Sequence, residues 1–368
     1  MSSTLSVRPL PFDPAFERIP DDEAETTREL VETMHSIIEK TYEDSGHAIR
    51  SVHAKSHALI EGEIEILADL PPELAQGAFA KPGVLPVIMR FSTNPGDILD
   101  DKVSTPRGLA LKIIGVEGAR LPGAEGQVTQ DFVMQNALAF TAATPKAFLS
   151  NLKLLAKTTD KMPGMKKALS AMLRGTETVI EALGGESGKI KSMGGHPLTN
   201  LLGETFNTVV PFLYGTCYAK LSVVPVSPSL TALTDAPVDL DDKPDGLREA
   251  TNAYFATNGG EWEVRIQLAT DIEKMPIEDA SKQWPEDESP YVTVARVKVA
   301  AQPAWTEARA VAVDDGLAFS PWHGLAAHRP LGGVMRSRKP AYEMSSGFRA
   351  QHNGCPMHEP RSAEKLPA

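Results

Sequence analysis

Cysteine is scarce. The 368 residues hold two, Cys217 and Cys355, so far apart that no disulfide framework is implied. Long apolar runs are missing too. The opening stretch MSSTLSVRPLPFDPAFERIPDD has no continuous apolar segment of the kind that leads a chain into secretion, and nothing later approaches a membrane span. A basic surplus is absent: the formal net charge is −11, which argues against a nucleic-acid or anionic-membrane partner. It leaves room for a buried anionic cofactor, because arginines can cluster locally. No internal repeat of fixed period is present. These absences describe a cytoplasmic protein with no membrane span and no nucleic-acid partner.

What is present is enough apolar residue, 42% of the chain, to bury a sizeable core. Residues 1–22, rich in Pro and Asp, read as an extended arm. In 23–45 Leu30, Met34, Ile37 and Ile38 share a helical face. The period then changes to two. Ile60-Glu61-Gly62-Glu63-Ile64-Glu65-Ile66 alternates apolar and acidic residues, as a half-buried strand does. Strand-like runs follow at 85–92, 108–114 and 131–140. Thr144-Pro145 opens a helix, and 144–200 reads as mostly helical. Strands resume at 217–225, 261–269 and 290–299, before a last helix near 337–350. This order predicts an α+β protein: a closed antiparallel barrel of about eight strands, with helices packed outside it. The expected division is an arm and helix (1–45), one large domain (46–350) and a polar, mobile tail (351–368).

The last helix carries an unusual stripe. Ser337 can cap it, and Pro340 would fall in its first turn, where a missing N–H costs nothing. At about 100° per residue, Arg338, Tyr342 and Arg349 fall within about 40° of one another, along roughly 16 Å. A guanidinium one turn from a tyrosine favours the phenolate, a hard anionic ligand suited to ferric iron. The second arginine can hold a carboxylate. Spacing alone favours an ordinary amphipathic surface helix with incidental arginines. Elsewhere, Arg50-Ser51-Val52-His53 opens the first strand. Arg90 and Ser92 share a face of the second, and a buried arginine there needs an anionic partner. The fourth carries Asn136 and Phe140, and Phe148 lies at the start of the helix that follows. Taken singly, His53 and the two phenylalanines fit an ordinary core. Gly354-Cys355-Pro356 lacks the sheltered loop that a thiolate ligand needs. His53 and His57, on a strand, lie about 13 Å apart, too far to share one ion.

Five segments bear a resemblance in common: RSVHAK (50–55), RFST (90–93), TPRGLALK (105–112), DFVMQNALAF (131–140) and FSPWHGLAAHRPLGGVMRSRKPAY (319–342). Together they resemble the catalase superfamily, and most of all its short bacterial members, the catalase-related peroxidases. The resemblance implies haem b, bound between the barrel and the C-terminal helix, with Tyr342 as the iron ligand and Arg338 as its partner. It implies that His53 is the distal acid–base and that Ser92 holds its far nitrogen. Val52 would lie over the haem face, and Phe140 and Phe148 beside it. Arg50, Arg90 and Arg349 would bind the propionates. The family's distal asparagine falls at Gln135 in an ungapped alignment and at Asn136 after a one-residue slip; Asn136 is the reading adopted. Gly332 replaces an acidic residue that supports the proximal arginine in larger enzymes. The long wrapping segment of those enzymes is missing, so an open entrance is expected.

The implied activity is reduction of H2O2 or organic hydroperoxides through an oxoferryl state, with an unidentified reductant. Rearrangement or cleavage of fatty-acid hydroperoxides is the alternative, and a non-catalytic haem carrier is a third. The resemblance and the arm favour a homo-oligomer.

Overall fold

The structure is a computed structural model that describes residues 7–156, 196–363 and 365–368. The expected helix beyond 156 lies mostly outside the described residues.

Nine strands form one antiparallel sheet: β1 (Ser56–Ile66), β2 (Gly83–Thr93), β3 (Arg107–Ile114), β4 (Thr129–Gln135), β5 (Phe206–Asn207), β6 (Phe212–Tyr214), β7 (Cys217–Pro225), β8 (Gly260–Leu268) and β9 (Val292–Val299). Their order is β5-β4-β3-β2-β1-β9-β8-β7-β6, and a β5–β7 pairing closes eight of them into a barrel. The two-residue β5 and three-residue β6 are too short to leave a period in the sequence. β4 ends at Gln135, five residues before the expected end, so Phe140 sits in a loop.

Period-two alternation sorts the strands into two faces. Leu109, Leu111 and Ile113 of β3 join Phe91, Phe132 and Trp262 in the cluster that fills the barrel. The alternate residues Gly108, Ala110, Lys112 and Ile114 face outward, yet every residue of β3 is buried. Something therefore covers that outer face. The barrel is thus a packed core, which leaves its outer face for a ligand.

Helix α1 (Glu23–Ser45) packs Leu30, Met34 and Ile37 against Ala341 of the last helix. α2 (Pro145–Ala156) adds Leu149 and Leu152 to the same cluster. α3 (Gly246–Phe255) lies over β1. The last helix, α4, spans Gly333–His352, so it begins four residues before the expected start. Gly332, at φ +85°, occupies its N-cap. Arg336 in its first turn is gripped by Glu17 (3.0 Å), Glu23 (2.7 Å) and Glu278 (3.0 Å). That clamp extends the helix backward. Ser337 is therefore not a cap but a buried residue bonded to Thr27 (2.7 Å), and Pro340 lies in the helix interior.

The arm runs along the barrel: Leu10 N–H donates to Ala269 (2.7 Å) and Phe12 N–H to Thr216 (2.8 Å). The C-terminal tail is docked as well, against expectation. Glu359 reaches Lys112 (2.6 Å), whose side chain is wholly buried beside Asp131, and Leu366 packs against the outer-face cluster of Leu59 and Ile88. Among the described residues no helix is long and apolar enough to cross a membrane.

Candidate active site

A cavity lies between the outer face of the barrel and α4 and holds about 810 Å³ counted to its open mouth. One wall consists of Val52, His53, Arg90, Ser92, Gly108, Ala110 and Val133; the other of Ala341, Tyr342, Ser345, Ser346 and Arg349. Met34 of α1, together with Phe319 and His323, closes the sides.

His53 is not on a strand. It stands in the bend before β1, at φ +53°, a left-handed conformation uncommon outside glycine. Several bonds hold it there. Its N–H donates to the Asn94 carbonyl (2.8 Å), its carbonyl accepts from Arg90 Nη2 (2.8 Å), and its Nδ1 is 3.2 Å from Ser92 Oγ. Burial, with the charges of Arg90, Arg338 and Arg50, pushes its pKa down to about 3. The ring is a neutral base at neutral pH. His57, four residues on, points elsewhere and bonds Thr93 (3.2 Å).

The arginines converge from three elements. Arg50 Nη1 and Arg90 Nε both donate to Asp314 Oδ1, at 2.7 and 2.6 Å. Arg349 of α4 donates to the Asp314 backbone carbonyl, and Ser56 Oγ to Asp314 Oδ2 (2.6 Å). Asp314 gets there through a π-helical turn, Val311–Asp315, marked by a Gly316 N–H to Val311 C=O bond (3.1 Å). Such a turn inserts a residue and re-aims side chains. Burial works to raise the pKa of Asp314, but Arg90 and Arg50 overcome it and hold the carboxyl at about 2. Burial and mutual repulsion lower the pKa of Arg50 and Arg349. Asp314 is the carboxylate that Arg50 and Arg90 share, and among the described residues Arg349 Nε is buried without a hydrogen-bond partner. The rim is built for further anionic oxygens.

On the α4 wall, Arg338 Nη2 donates to the Tyr342 hydroxyl, and its guanidinium lies 5.2 Å from the ring centre. Its other partner is Met335 Sδ (3.4 Å). The acidic residues near Gly332 gather on Arg336 instead.

Four expected residues stand apart from the cavity wall: Arg338, which is joined to it through Tyr342, and three others. Asn136 accepts from Arg107 N–H (2.8 Å) and donates to Glu204 (2.6 Å). The register explains why: Gln135 pairs with Gly108, so Gln135 shares the outward face and Asn136 takes the opposite one. Phe140 packs on Val210, Val334 and Met335. Phe148 packs beside Val52 and Met34 at the cavity's edge, with its ring centre 5.1 Å from that of Phe140. Sequence reasoning missed Asp314, Gly108 and His323. The acidic pair Asp314-Asp315 ahead of Gly316 was the one available signal; nothing in the sequence marks a π-turn.

No family model and no curated protein matches the chain in sequence. Solved structures do match it in shape. A fungal catalase superposes with TM-score 0.60 at 18% identity, over 86% of this chain and 64% of that one. Catalase A from Saccharomyces cerevisiae gives 0.60 at 19%, over 84% and 62%. A bacterial catalase gives 0.58 at 16%, over 98% and 67%. This is the catalase fold. The chain spans just under two thirds of the length of the first two of these catalases. At such identities the likeness establishes architecture, and the chemistry has to be argued from the cavity.

Proposed function

We propose that the protein is a haem-dependent enzyme that reduces peroxides. One observation carries the reading: a neutral histidine and a tyrosine bonded by Arg338 line the two walls of one cavity, with a three-arginine rim between them. Haem b fits these residues. Its propionates match the clustered guanidiniums of Arg50, Arg90 and Arg349, and the Arg349 Nε supplies a donor. Tyr342 would ligate the iron from α4, with Arg338 bonded to its hydroxyl oxygen. When bound, haem supplies the redox chemistry that cleaves the O–O bond.

The chain's own residues manage the protons. With Nδ1 turned to Ser92, the Nε2 of His53 is left for the cavity. It takes the proton of a bound hydroperoxide and returns it to the departing oxygen. The low pKa keeps it unprotonated and ready. Among the described residues no Asn or Gln side chain lines the cavity, and its barrel wall includes the apolar Val52, Ala110 and Val133 beside Arg90 and Ser92. An apolar wall suits the carbon chain of an organic hydroperoxide better than a second H2O2, so an organic reductant or hydroperoxide is the favoured partner. The same wall favours, as a second reading, rearrangement of a lipid hydroperoxide without any reductant.

The test is a haem titration of the purified protein, followed by parallel assays with H2O2 alone, H2O2 with a phenolic donor, and a lipid hydroperoxide. Stoichiometric haem binding that is lost in Tyr342→Phe, together with donor oxidation abolished in His53→Ala, supports the reading. Failure to bind haem, or unchanged turnover in His53→Ala, overturns it. Fast O2 release with negligible donor oxidation overturns the preference for organic partners. Rearranged lipid product without reductant selects the second reading.

A further inference from the structure

We infer that Gly108 is the positioning residue for His53: the absence of a side chain at the start of β3 is what lets the imidazole lie against the barrel with Nδ1 on Ser92 and Nε2 toward the cavity. A Cβ built on Gly108 would stand 2.5 Å from His53 Cε1 and 2.6 Å from its Nδ1. Neither atom can yield cheaply. The ring's backbone is fixed by Asn94 and Arg90, and its other flank meets Ser92, which pairs with Gly108 across β2 and β3. Ser92 and Gly108 thus form one seat, the first with a hydrogen bond and the second with a notch. Gly108 has no left-handed backbone to explain its presence. In a strand, glycine is ordinarily a liability relative to alanine. The residue is accounted for by the ring above it.

This inference rests on the proposed role of His53 for its functional meaning, but its geometry can be tested without haem. Gly108→Ala is made alone and in a His53→Ala background, and thermal unfolding of the haem-free proteins is compared. The alanine should lower Tm by several degrees when His53 is present and leave it unchanged or raised when the ring is gone. In ¹⁵N-histidine spectra of the haem-free single variant, the His53 signal should lose its Ser92-bonded Nδ1 shift.

The second arm uses the haem-loaded protein and cyanide. HCN must give its proton to a base as its carbon binds the iron. Gly108→Ala should slow cyanide association about a hundredfold and add nothing in the His53→Ala background. Equal Tm changes in the two backgrounds, or an unchanged cyanide on-rate, would overturn the inference. Absence of haem binding in the parent protein would sink the proposed function instead, and the Tm comparison would still decide the case for Gly108.

Discussion

Asp314→Asn removes the one carboxylate that Arg50 and Arg90 both touch. Leaving buried guanidiniums without it should destabilise the haem-free protein by roughly 3–5 kcal/mol in chemical denaturation. The titrating groups also give pH dependences of opposite sign. His53 and His328 are held at about 3 and about 4, chiefly by burial. Their unfolded forms take up protons near pH 6.5, so stability falls as pH drops from there through those values. Burial would lower His323, but Asp131 and Glu359 push it up to about 9. Its contribution is complete below pH 6.5 and is lost as pH rises through 9. His323→Gln should therefore flatten the alkaline limb of the stability curve and leave the acid limb intact. His53→Gly relieves a left-handed histidine. It should raise stability by about 1 kcal/mol while abolishing turnover.

At the scale of elements, α4 holds a proline where a helix seldom does. Pro340 denies the Arg336 carbonyl its bond and stands two residues before Tyr342. Pro340→Ala should stabilise the fold by roughly 1–2 kcal/mol. Haem affinity in the same variant reads whether the local bend matters to Tyr342. The longer elements were legible because their periods are clean. α1 and β7 begin and end where the pattern places them, and β8 and β9 do so within two residues. The shortfalls have particular causes. The backward extension of α4 depends on Glu17, Glu23 and Glu278, which come from distant parts of the chain and leave no mark in its own period. Choosing between Gln135 and Asn136 needed the β3–β4 register, since a shift of one residue exchanges the two faces. The side chains that converge on the cavity were largely legible, because a motif carries residue types. The π-turn that delivers Asp314 was not, because it is a property of backbone geometry.

Across the whole molecule, the described part of the N-terminal arm and the C-terminal tail lie along the barrel. Glu359 completes a buried group with Lys112, Asp131 and Thr129 at the rear of the cavity wall. Glu359→Gln should cost roughly 2–3 kcal/mol and make residues beyond Asn353 susceptible to limited proteolysis. The barrel interior, in contrast, is filled without help from any ligand. That has a consequence for biogenesis. A protein whose cofactor is its folding nucleus must meet that cofactor while the chain is still immature. Here the two surfaces that would clasp haem are each supported by their own packing, so a mature polypeptide can accumulate first and be loaded when haem becomes plentiful. The cellular pool of this protein would then be a mixture whose active fraction follows haem supply rather than synthesis.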